Sequence, residues 1–379
     1  MMKVCIIGDI IIDNYIYGTA ERLSPEAPIP IVKCQSATEK LGGAGNLYEN
    51  LLSLGVDVDL LDLSEPRCVK TRVFCDGHYV TRIDEDEMTD GSKVLDTIRE
   101  LDFSDYEYVI LSDYGKGVLE YSASIIEHVN EFGCKVIVDP KNHYWFYEGA
   151  WLVKPNSAEF TKYEFDSWQG NIIVTDSSNA VTADIDGKFY QSFVDKVEVS
   201  DVTGAGDSFL AAFVYGLTME YDYQKCLDIA TKAATHSVKH IGTYTLKPTD
   251  VEEIVVFTNG CFDILHRGHI EYLEASKALG TRLVIGLNSD ASVKRLKGDS
   301  RPIHTQEDRK KSLEALSCVD EVIIFDDDTP YDLIKNIRPN IITKGGDYTK
   351  DNVVGNDLAQ VVILPYKEGY STTEILEKL

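Results

Sequence analysis

Two kinds of sequence signal are missing from this chain of 379 residues. Its eight cysteines are scattered, with no C-x-x-C pair and no cysteine and histidine cluster at the spacing of a zinc site. No apolar run approaches the roughly 18 residues that a membrane-spanning helix needs. We therefore expect no resident metal site and no contact with a membrane, and we interpret the cysteines as reduced thiols of a cytoplasmic protein.

Basic residues are also scarce. The chain has 37 lysines and arginines against 63 aspartates and glutamates, which gives a net charge of -26. The negative electrostatic field of such a protein repels polyanions, so nucleic acid is not an expected partner. The N-terminal segment MMKVCIIGDIII lacks the basic region and the small-residue cleavage site of a signal peptide. We interpret it instead as the first strand of a sheet.

Apolar runs of strand length alternate with helical patterns along the whole chain. This alternation predicts the α/β class, with mainly parallel sheets and helices between the strands. The length is sufficient for two hydrophobic cores, and the motif pattern changes near residues 247–250. We therefore expect two domains, at residues 1–248 and 252–379, with almost no linker between them.

The segment 258–269, TNGCFDILHRGH, is the most informative in the chain. It ends an apolar run and places His266 and His269 three residues apart, a spacing that shares one face of a helix. Gly268 between them permits close approach of a nucleotide, and the start of a helix attracts anions. The segment resembles the signature of the nucleotidyltransferase superfamily that includes the cytidylyltransferases. That resemblance implies a Rossmann-like domain in which both histidines are catalytic.

Further residues of the C-terminal half are expected to bind the nucleotide or its phosphates. Lys297, Arg301 and Arg309 supply cations for a triphosphate and for the departing pyrophosphate. Cys261 lies in the loop, where we assign it a packing role because no base stands beside it in sequence. Only resemblance supports Thr372, since serine and threonine begin helices everywhere. The full set is Thr258, Gly260, Cys261, Phe262, Lys297, Arg301, Arg309, Lys344, Ser371 and Thr372.

In the N-terminal half, the turn DVTGAGDS at 201–208 precedes a long apolar helix. Gly204, Ala205 and Gly206 present backbone N–H groups there as an anion hole, while Asp207 is placed to take a proton from a hydroxyl. An acidic residue in a first turn also stabilises a helix dipole, but that role does not explain the two glycines. The turn resembles that of the ribokinase-like (PfkB) sugar kinases, which implies that Asp207 is the catalytic base.

Earlier motifs carry the same resemblance. It implies that Asp13, Gly43 and Asn46 contact the sugar and that Asn156 and Glu159 lie on the phosphate and magnesium side. Asn46 offers both a donor and an acceptor to hydroxyls, although a helix cap also explains it. The resemblance further implies ATP with Mg²⁺ and a homodimer formed through the kinase half, for which the strands of VKTRVFCDGHYVTRID are candidates.

Across its whole length the chain resembles a family of bifunctional enzymes that join a heptose 7-phosphate kinase to a heptose 1-phosphate adenylyltransferase. SPEAPIPIVK and RLKGDSRP carry that resemblance beyond the superfamily level. It implies phosphorylation of heptose 7-phosphate at C1. It also implies transfer of AMP from ATP to heptose 1-phosphate, with release of pyrophosphate. The product, ADP-heptose, is used in lipopolysaccharide cores.

The kinase half departs from that family by being shorter. Only residues 64–68 separate DLLDL from VKTRV, and little room for a helix follows Glu159. The loop TDSSNAV also lacks the usual glycines. Two alternatives stay open, namely a nucleotidyltransferase whose inactive kinase-like half binds ligands or dimerises, and a non-enzymatic sugar-nucleotide sensor. Loss of kinase activity in Asp207→Asn would exclude the first, and turnover of any triphosphate would exclude the second.

Overall fold

The structure is a computed structural model that describes residues 2–176, 179–346 and 348–365. It divides into two compact units, Met1–Val251 and Glu252–Leu379. Each unit has a predominantly parallel sheet with helices between the strands, so the predicted α/β class is confirmed. Ser371 and Thr372 lie outside the described residues.

The first unit contains two sheets and the helices that connect their strands. Its strands are β1 (Lys3–Gly8), β2 (Ile10–Thr19), β3 (Lys33–Gly43), β4 (Asp57–Leu61), β5 (Cys68–Cys75), β6 (His78–Glu85), β7 (Tyr108–Ser112), β8 (Lys135–Asp139), β9 (Leu152–Val153), β10 (Asn171–Val174), β11 (Ala180–Ile185) and β12 (Lys188–Phe193). Its α-helices are α1 (Ala44–Ser53), α2 (Gly91–Ile98), α3 (Ser122–Asn130), α4 (Ser157–Lys162), α5 (Ala205–Thr218), α6 (Tyr223–Ser237) and α7 (Pro248–Val251).

The larger sheet has eight strands in the order β12-β11-β10-β9-β8-β7-β1-β4. All neighbours are parallel except at the β10–β11–β12 edge, which is antiparallel. Successive side chains of a strand point to opposite faces. Accordingly, Val4 and Ile6 belong to one apolar cluster, whereas Cys5 and Ile7 belong to another. A sheet buried on both faces brings the carboxyl ends of its strands to one edge, where ligands bind in open α/β sheets.

The smaller sheet has four strands in the order β3-β2-β5-β6. The first strand expected in MMKVCIIGDIII is confirmed as β1, but it ends at Gly8, and β2 begins at Ile10 in this second sheet. Asp9 causes the break, since its buried carboxylate accepts backbone N–H groups from the loop that follows β7. All eight residues of β6 are exposed.

The second unit has a five-stranded parallel sheet in the order β15-β14-β13-β16-β17. The chain reverses direction across the sheet between β13 and β16, and such a switch point opens a crevice for ligands at the carboxyl ends of the strands. The strands are β13 (Val255–Gly260), β14 (Arg282–Asn288), β15 (Glu321–Phe325), β16 (Ile341–Gly345) and β17 (Gln360–Leu364). The helices are α8 (Arg267–Lys277), α9 (Asp290–Lys297), α10 (Gln306–Glu314) and α11 (Tyr331–Ile337).

Three further observations concern the cysteines, the helices and possible metal ligands. All eight cysteines are free thiols. Within the part of the chain that the structure describes, no helix is both long and apolar enough to cross a bilayer. In that same part, no group of three or more histidine, cysteine or acidic side chains is arranged to hold a metal ion.

Candidate active sites

Asp207 lies in the first turn of α5 and is only 3% exposed. Its Oδ1 accepts a hydrogen bond from the Tyr114 hydroxyl at 2.5 Å, and its Oδ2 accepts one from Asn46 Nδ2 at 2.6 Å. Burial raises the pKa of Asp207 to about 6, while both hydrogen bonds oppose that increase. The carboxylate is therefore suited to accept a proton near neutral pH.

The backbone around Asp207 forms a close-packed, positively charged end of a helix. Gly204 precedes the helix with φ 75°, and a Cβ there would lie 2.8 Å from Asn46 Nδ2. A Cβ on Gly206 would lie 3.7 Å from Lys154 Nζ, which is buried in an ion pair with Asp139 at 3.0 Å. Ala205 N already donates to Val202 O at 3.2 Å, so the expected anion hole is left to the N–H groups of Gly204 and Gly206. Together with the Lys154 ammonium, these groups favour a phosphoryl group.

The residues expected at the sugar lie in two places, one around Asp13 on β2 and the other beside Asp207. Asp13, on β2, is buried and forms an ion pair with Arg72 of β5 at 2.5 Å. Gly42 lies against it, since a Cβ there would clash with Asp13 Oδ2. Gly43 has φ 59° and has no room for a Cβ beside Asp9 O. Asn46 uses its amide to hold Asp207, as described above.

Additional cations surround Asp13. Burial lowers the pKa of Lys70, Asp13 opposes that decrease, and the nearby Lys116 and Arg72 add to it. Lys116 also pairs with Asp86 at 2.7 Å. Arg72 pairs with Asp13, Lys116 pairs with Asp86, and Asp84 also raises the pKa of Lys70, so the three cations face three carboxylates.

Asn156 and Glu159 form the capping box of α4, because each side chain accepts the backbone N–H of the other residue. The helix has only six residues, in keeping with the limited room noted in the sequence. Glu159 also pairs with Lys141 at 2.8 Å, and its charge helps raise the pKa of Asp139, which burial raises most. The two carboxylates therefore lie close together, and Asp139 Oδ2 lies beside the α5 turn, 3.9 Å from a Cβ placed on Gly206.

The two histidines of the second unit lie at the start of α8. His266 is the N-cap, and its Nδ1 accepts a hydrogen bond from His269 N at 3.3 Å. The two rings stack with centroids 3.8 Å apart. Burial, followed by the effect of His266, lowers the pKa of His269 to about 4. Both pKa values are lowered, so both rings are neutral at pH 7 and suited to donate N–H hydrogen bonds to phosphate.

The three cations expected at the triphosphate have different surroundings. Lys297 is exposed at the end of α9 and close enough to His269 to affect its pKa. Arg301 is paired with buried Asp263 at 2.8 Å. Arg309 is 2% exposed and binds Asp290, the Cys261 carbonyl and a further backbone carbonyl. The arginines therefore hold loops of the site together, whereas Lys297 faces the solvent.

The loop after β13 is fixed from both sides. Thr258 is fully buried and shares a hydrogen bond with the Tyr272 hydroxyl of α8 at 2.7 Å. Lys344, at the end of β16, donates to Asn259 O at 3.0 Å, and burial lowers its pKa to about 8. Burial raises the pKa of the Cys261 thiol, which does not favour a nucleophilic thiolate.

Gly260 and Phe262 complete this loop. The Phe262 ring packs edge-on against His269, with centroids 5.4 Å apart. Gly260 lies against the same ring, since a Cβ there would meet it at 3.0 Å. The loop, the start of α8 and Lys344 thus meet at the switch point of the sheet.

Sequence reasoning gave no individual role to several residues of the first unit's site. Tyr114, Asp139 and Lys154 lie at or just beyond the carboxyl ends of strands, within LSDYGKG, VDPK and KPN. Arg72 lies on β5, opposite β2. Strand-end position was an available signal for the first three residues. Only the pairing of β2 with β5 brings Arg72 to Asp13.

Comparison with known proteins matches both units. Residues 135–250 fit the pfkB family of carbohydrate kinases, and residues 257–378 fit the family described as cytidylyltransferase-like. The first unit resembles ribokinase from Thermotoga maritima (TM-score 0.50, 17% identity, 66% of this chain and 98% of that chain). It also resembles phosphofructokinase-2 from Escherichia coli (TM-score 0.53, 15% identity, 66% and 96%). These structures show the fold, which confirms the expected ribokinase-like architecture.

Fold and matched families together define an enzyme with two transferase units, a carbohydrate kinase and a nucleotidyltransferase. The chain is 36% identical to bifunctional protein HldE of a Nitratiruptor species, over all of this chain and 99% of that protein. It is 34% identical to bifunctional protein HldE of Helicobacter pylori, with the same coverage. The chain therefore belongs to the HldE family of bifunctional proteins.

The alignment with the Nitratiruptor protein runs over 461 positions, whereas this chain has 379 residues. Because nearly all of both proteins is covered, the relative contains segments that this chain lacks.

Proposed function

We propose that the first unit phosphorylates heptose 7-phosphate at C1. The C1 hydroxyl oxygen attacks the γ-phosphorus of ATP, and its proton passes to the Asp207 carboxylate. The bond between the γ-phosphorus and the β,γ-bridging oxygen breaks, so ADP leaves. The N–H groups at the start of α5 and Lys154 stabilise the negative charge of the transferring group. The buried Asp207 carboxylate at this helix start is the observation that carries the proposal.

Lys70, which is paired in register with Asp13 across β2 and β5, supports a sugar that already bears a phosphate. Asp13 raises the pKa of Lys70 and Lys116 lowers it, so both groups lie close to Lys70. In the proposed complex, Asp13 accepts hydrogen bonds from sugar hydroxyls, and the lysines neutralise the 7-phosphate.

The second unit is proposed to make ADP-heptose. A phosphate oxygen of heptose 1-phosphate attacks the α-phosphorus of a second ATP. The bond to the α,β-bridging oxygen breaks, so pyrophosphate leaves and no protein nucleophile is needed. His266 and His269 donate hydrogen bonds to the phosphate oxygens, and Lys297 neutralises part of the triphosphate. A separate phosphatase must remove the 7-phosphate between the two reactions.

Mg²⁺ is proposed to enter both sites with ATP. The ion prefers oxygen ligands and keeps several waters, so few protein ligands are required. Glu159 and Asp139 in the first unit fit this requirement, because they are carboxylates close to each other and Asp139 lies beside the α5 turn. When bound, the ion neutralises charge on the phosphates.

One assay separates the proposal from its alternatives. The purified chain is incubated with Mg-ATP and heptose 7-phosphate, and in parallel with Mg-ATP and heptose 1-phosphate, and products are identified by mass spectrometry. We expect the bisphosphate in the first reaction and ADP-heptose in the second. Asp207→Asn should lower bisphosphate formation by roughly 100-fold or more and leave ADP-heptose formation unchanged. ADP-heptose without any bisphosphate would mean that the first unit is not this kinase.

We further propose a homodimer through the four-stranded sheet. Tyr17 of β2 and Tyr79 of β6 lie on one face of this sheet, where both rings pack against Phe74, and they are 37% and 54% exposed. A second copy of this sheet would bury them. Tyr79→Lys is expected to give a monomer by light scattering, whereas Phe189→Lys on β12, a more exposed aromatic position outside this sheet, should not. A wild-type monomer would contradict the proposal.

Two other proposals rest on the same function. The domains at 1–248 and 252–379 would carry the kinase and the transferase, respectively. A cytoplasmic location fits the use of ATP and the eight free thiols.

A further inference from the structure

Tyr114 contacts the proposed base of the kinase reaction. Its hydroxyl donates to Asp207 Oδ1 at 2.5 Å, while Asn46 of α1 donates to Oδ2. Each carboxylate oxygen therefore has one donor, and the two donors come from different parts of the fold. Each oxygen keeps a second lone pair for a sugar hydroxyl.

The loop that carries Tyr114 is held by buried carboxylates. Asp9 is fully buried and accepts the backbone N–H groups of Tyr114 at 2.9 Å, Lys116 at 3.0 Å and Val118 at 3.1 Å. Asp113 accepts the next N–H of the loop, that of Gly115, at 2.7 Å. Such a loop has little freedom to move the tyrosine away from the base.

Electrostatics make Tyr114 a permanent donor. Burial raises the pKa of Tyr114 well above its ordinary value, and Asp207, Asp139 and Asp13 add to that increase. The phenol therefore stays protonated wherever the enzyme works. On Asp207, burial and Asp139 raise the pKa, whereas the hydrogen bonds from Tyr114 and Asn46 and the charge of Lys154 lower it.

We propose that Tyr114 is a positioning residue of the kinase reaction, whose hydroxyl orients Asp207 and holds it in the charged form that accepts the sugar proton. This inference rests on the proposed role of Asp207 as the base. Tyr114 itself transfers no proton and touches no reacting atom. Its contribution is to the orientation and protonation state of the carboxylate.

The first test is the pH profile of kinase kcat/KM for heptose 7-phosphate in Tyr114→Phe. Tyr106→Phe is the matched control, since it also removes a tyrosine hydroxyl bound to a carboxylate, that of Asp59 at 2.7 Å. We expect the acid limb of Tyr114→Phe to move up by about one pH unit, because the carboxylate loses a donor. The rate on that limb should fall about tenfold, and the control should match wild type. An unmoved limb, or an equal shift in the control, would overturn the inference.

The second test needs no kinase turnover. All three tryptophans, at positions 145, 151 and 168, lie in the first unit, so tryptophan fluorescence reports the unfolding of that unit alone. Urea unfolding is measured against pH for wild type, Tyr114→Phe, Asp207→Asn and the double variant. The same data show directly whether each variant is folded.

The expected sign follows from linkage. The pKa of Asp207 is about 6 when folded and 3.8 ordinarily, so the folded state binds its proton more tightly. Stability due to Asp207 therefore falls as pH rises through this window. The quantity compared is the difference in free energy of unfolding between a protein with Asp207 and the same protein carrying Asp207→Asn. As pH rises, this difference should stop falling near pH 6 in the wild-type background and about one pH unit higher in the Tyr114→Phe background. If the difference stops falling at the same pH in both backgrounds, the inference is wrong. An inactive wild-type kinase would count against the proposed function only.

Discussion

Gly204 shows how a missing side chain shapes the proposed kinase site. Its φ is 75°, and an added Cβ would lie 2.8 Å from the Asn46 amide that holds Asp207. Gly204→Ala is therefore expected to lower kinase kcat by roughly tenfold to a hundredfold. Gly187→Ala is the control, because it shares a positive φ of 70° but has nothing within 4 Å. Both variants should lose about 1 kcal/mol of stability. An equal loss of kcat in both would contradict this explanation.

His269 gives the second unit a titration that matters for nucleotide binding. Its pKa of about 4 lies below the ordinary 6.5, so the ring is neutral in the free protein at pH 6.5. A bound triphosphate favours the charged ring and raises its pKa, so binding should take up protons. Titration calorimetry with ATP at this pH, in two buffers of different ionisation heat, measures that uptake. We expect His269→Gln to take up fewer protons than wild type, and equal uptake would contradict the prediction.

Helices α9 and α10 carry cations with different roles. Exposed Lys297→Ala should raise the KM for ATP in adenylyl transfer about tenfold and leave the thermal midpoint unchanged, because only a ligand contact is lost. Buried Arg309→Met leaves the Cys261 carbonyl without its donor and is expected to lower the free energy of unfolding by about 2 kcal/mol or more. Steady-state kinetics and thermal unfolding of the two variants distinguish a ligand contact from a structural role. An Arg309 variant that changes only the KM for ATP would instead support the nucleotide contact predicted from the sequence.

Elements were predictable to different degrees. Most parallel strands of the eight-stranded and five-stranded sheets were visible as apolar runs, because a strand buried on both faces has few polar residues. The break between β1 and β2 was not visible, since apolar residues continue on both sides of Asp9. Burial of that carboxylate by the loop after β7 decides the break, and it involves residues more than a hundred positions away.

At the scale of the whole molecule, the net charge of -26 opposes compaction through self-repulsion. Adding NaCl up to about 0.3 M shortens the Debye length and should therefore raise the thermal midpoint. The measurement is calorimetry at fixed pH, with sucrose of equal osmolality as the control for exclusion effects. A midpoint that falls with salt would mean that the ion pairs stabilise the fold more than the excess charge destabilises it.

Sequence alone determined the α/β class, the order of the two transferase units and the two central motifs. These features depend on local patterns, namely apolar periodicity, glycines in a turn and the spacing of two histidines. A reader of the sequence obtains them without knowing any contact.

The tertiary structure decided what each side chain does. It paired Arg72 with Asp13, placed Tyr114 and Asn46 on Asp207, and buried Arg309 where sequence suggested a triphosphate ligand. The sequence shows that a residue is an arginine or a lysine, but not whether its side chain contacts a ligand or a buried carbonyl. Burial and long-range pairing set its partner and its pKa, and neither can be read from neighbours in the chain.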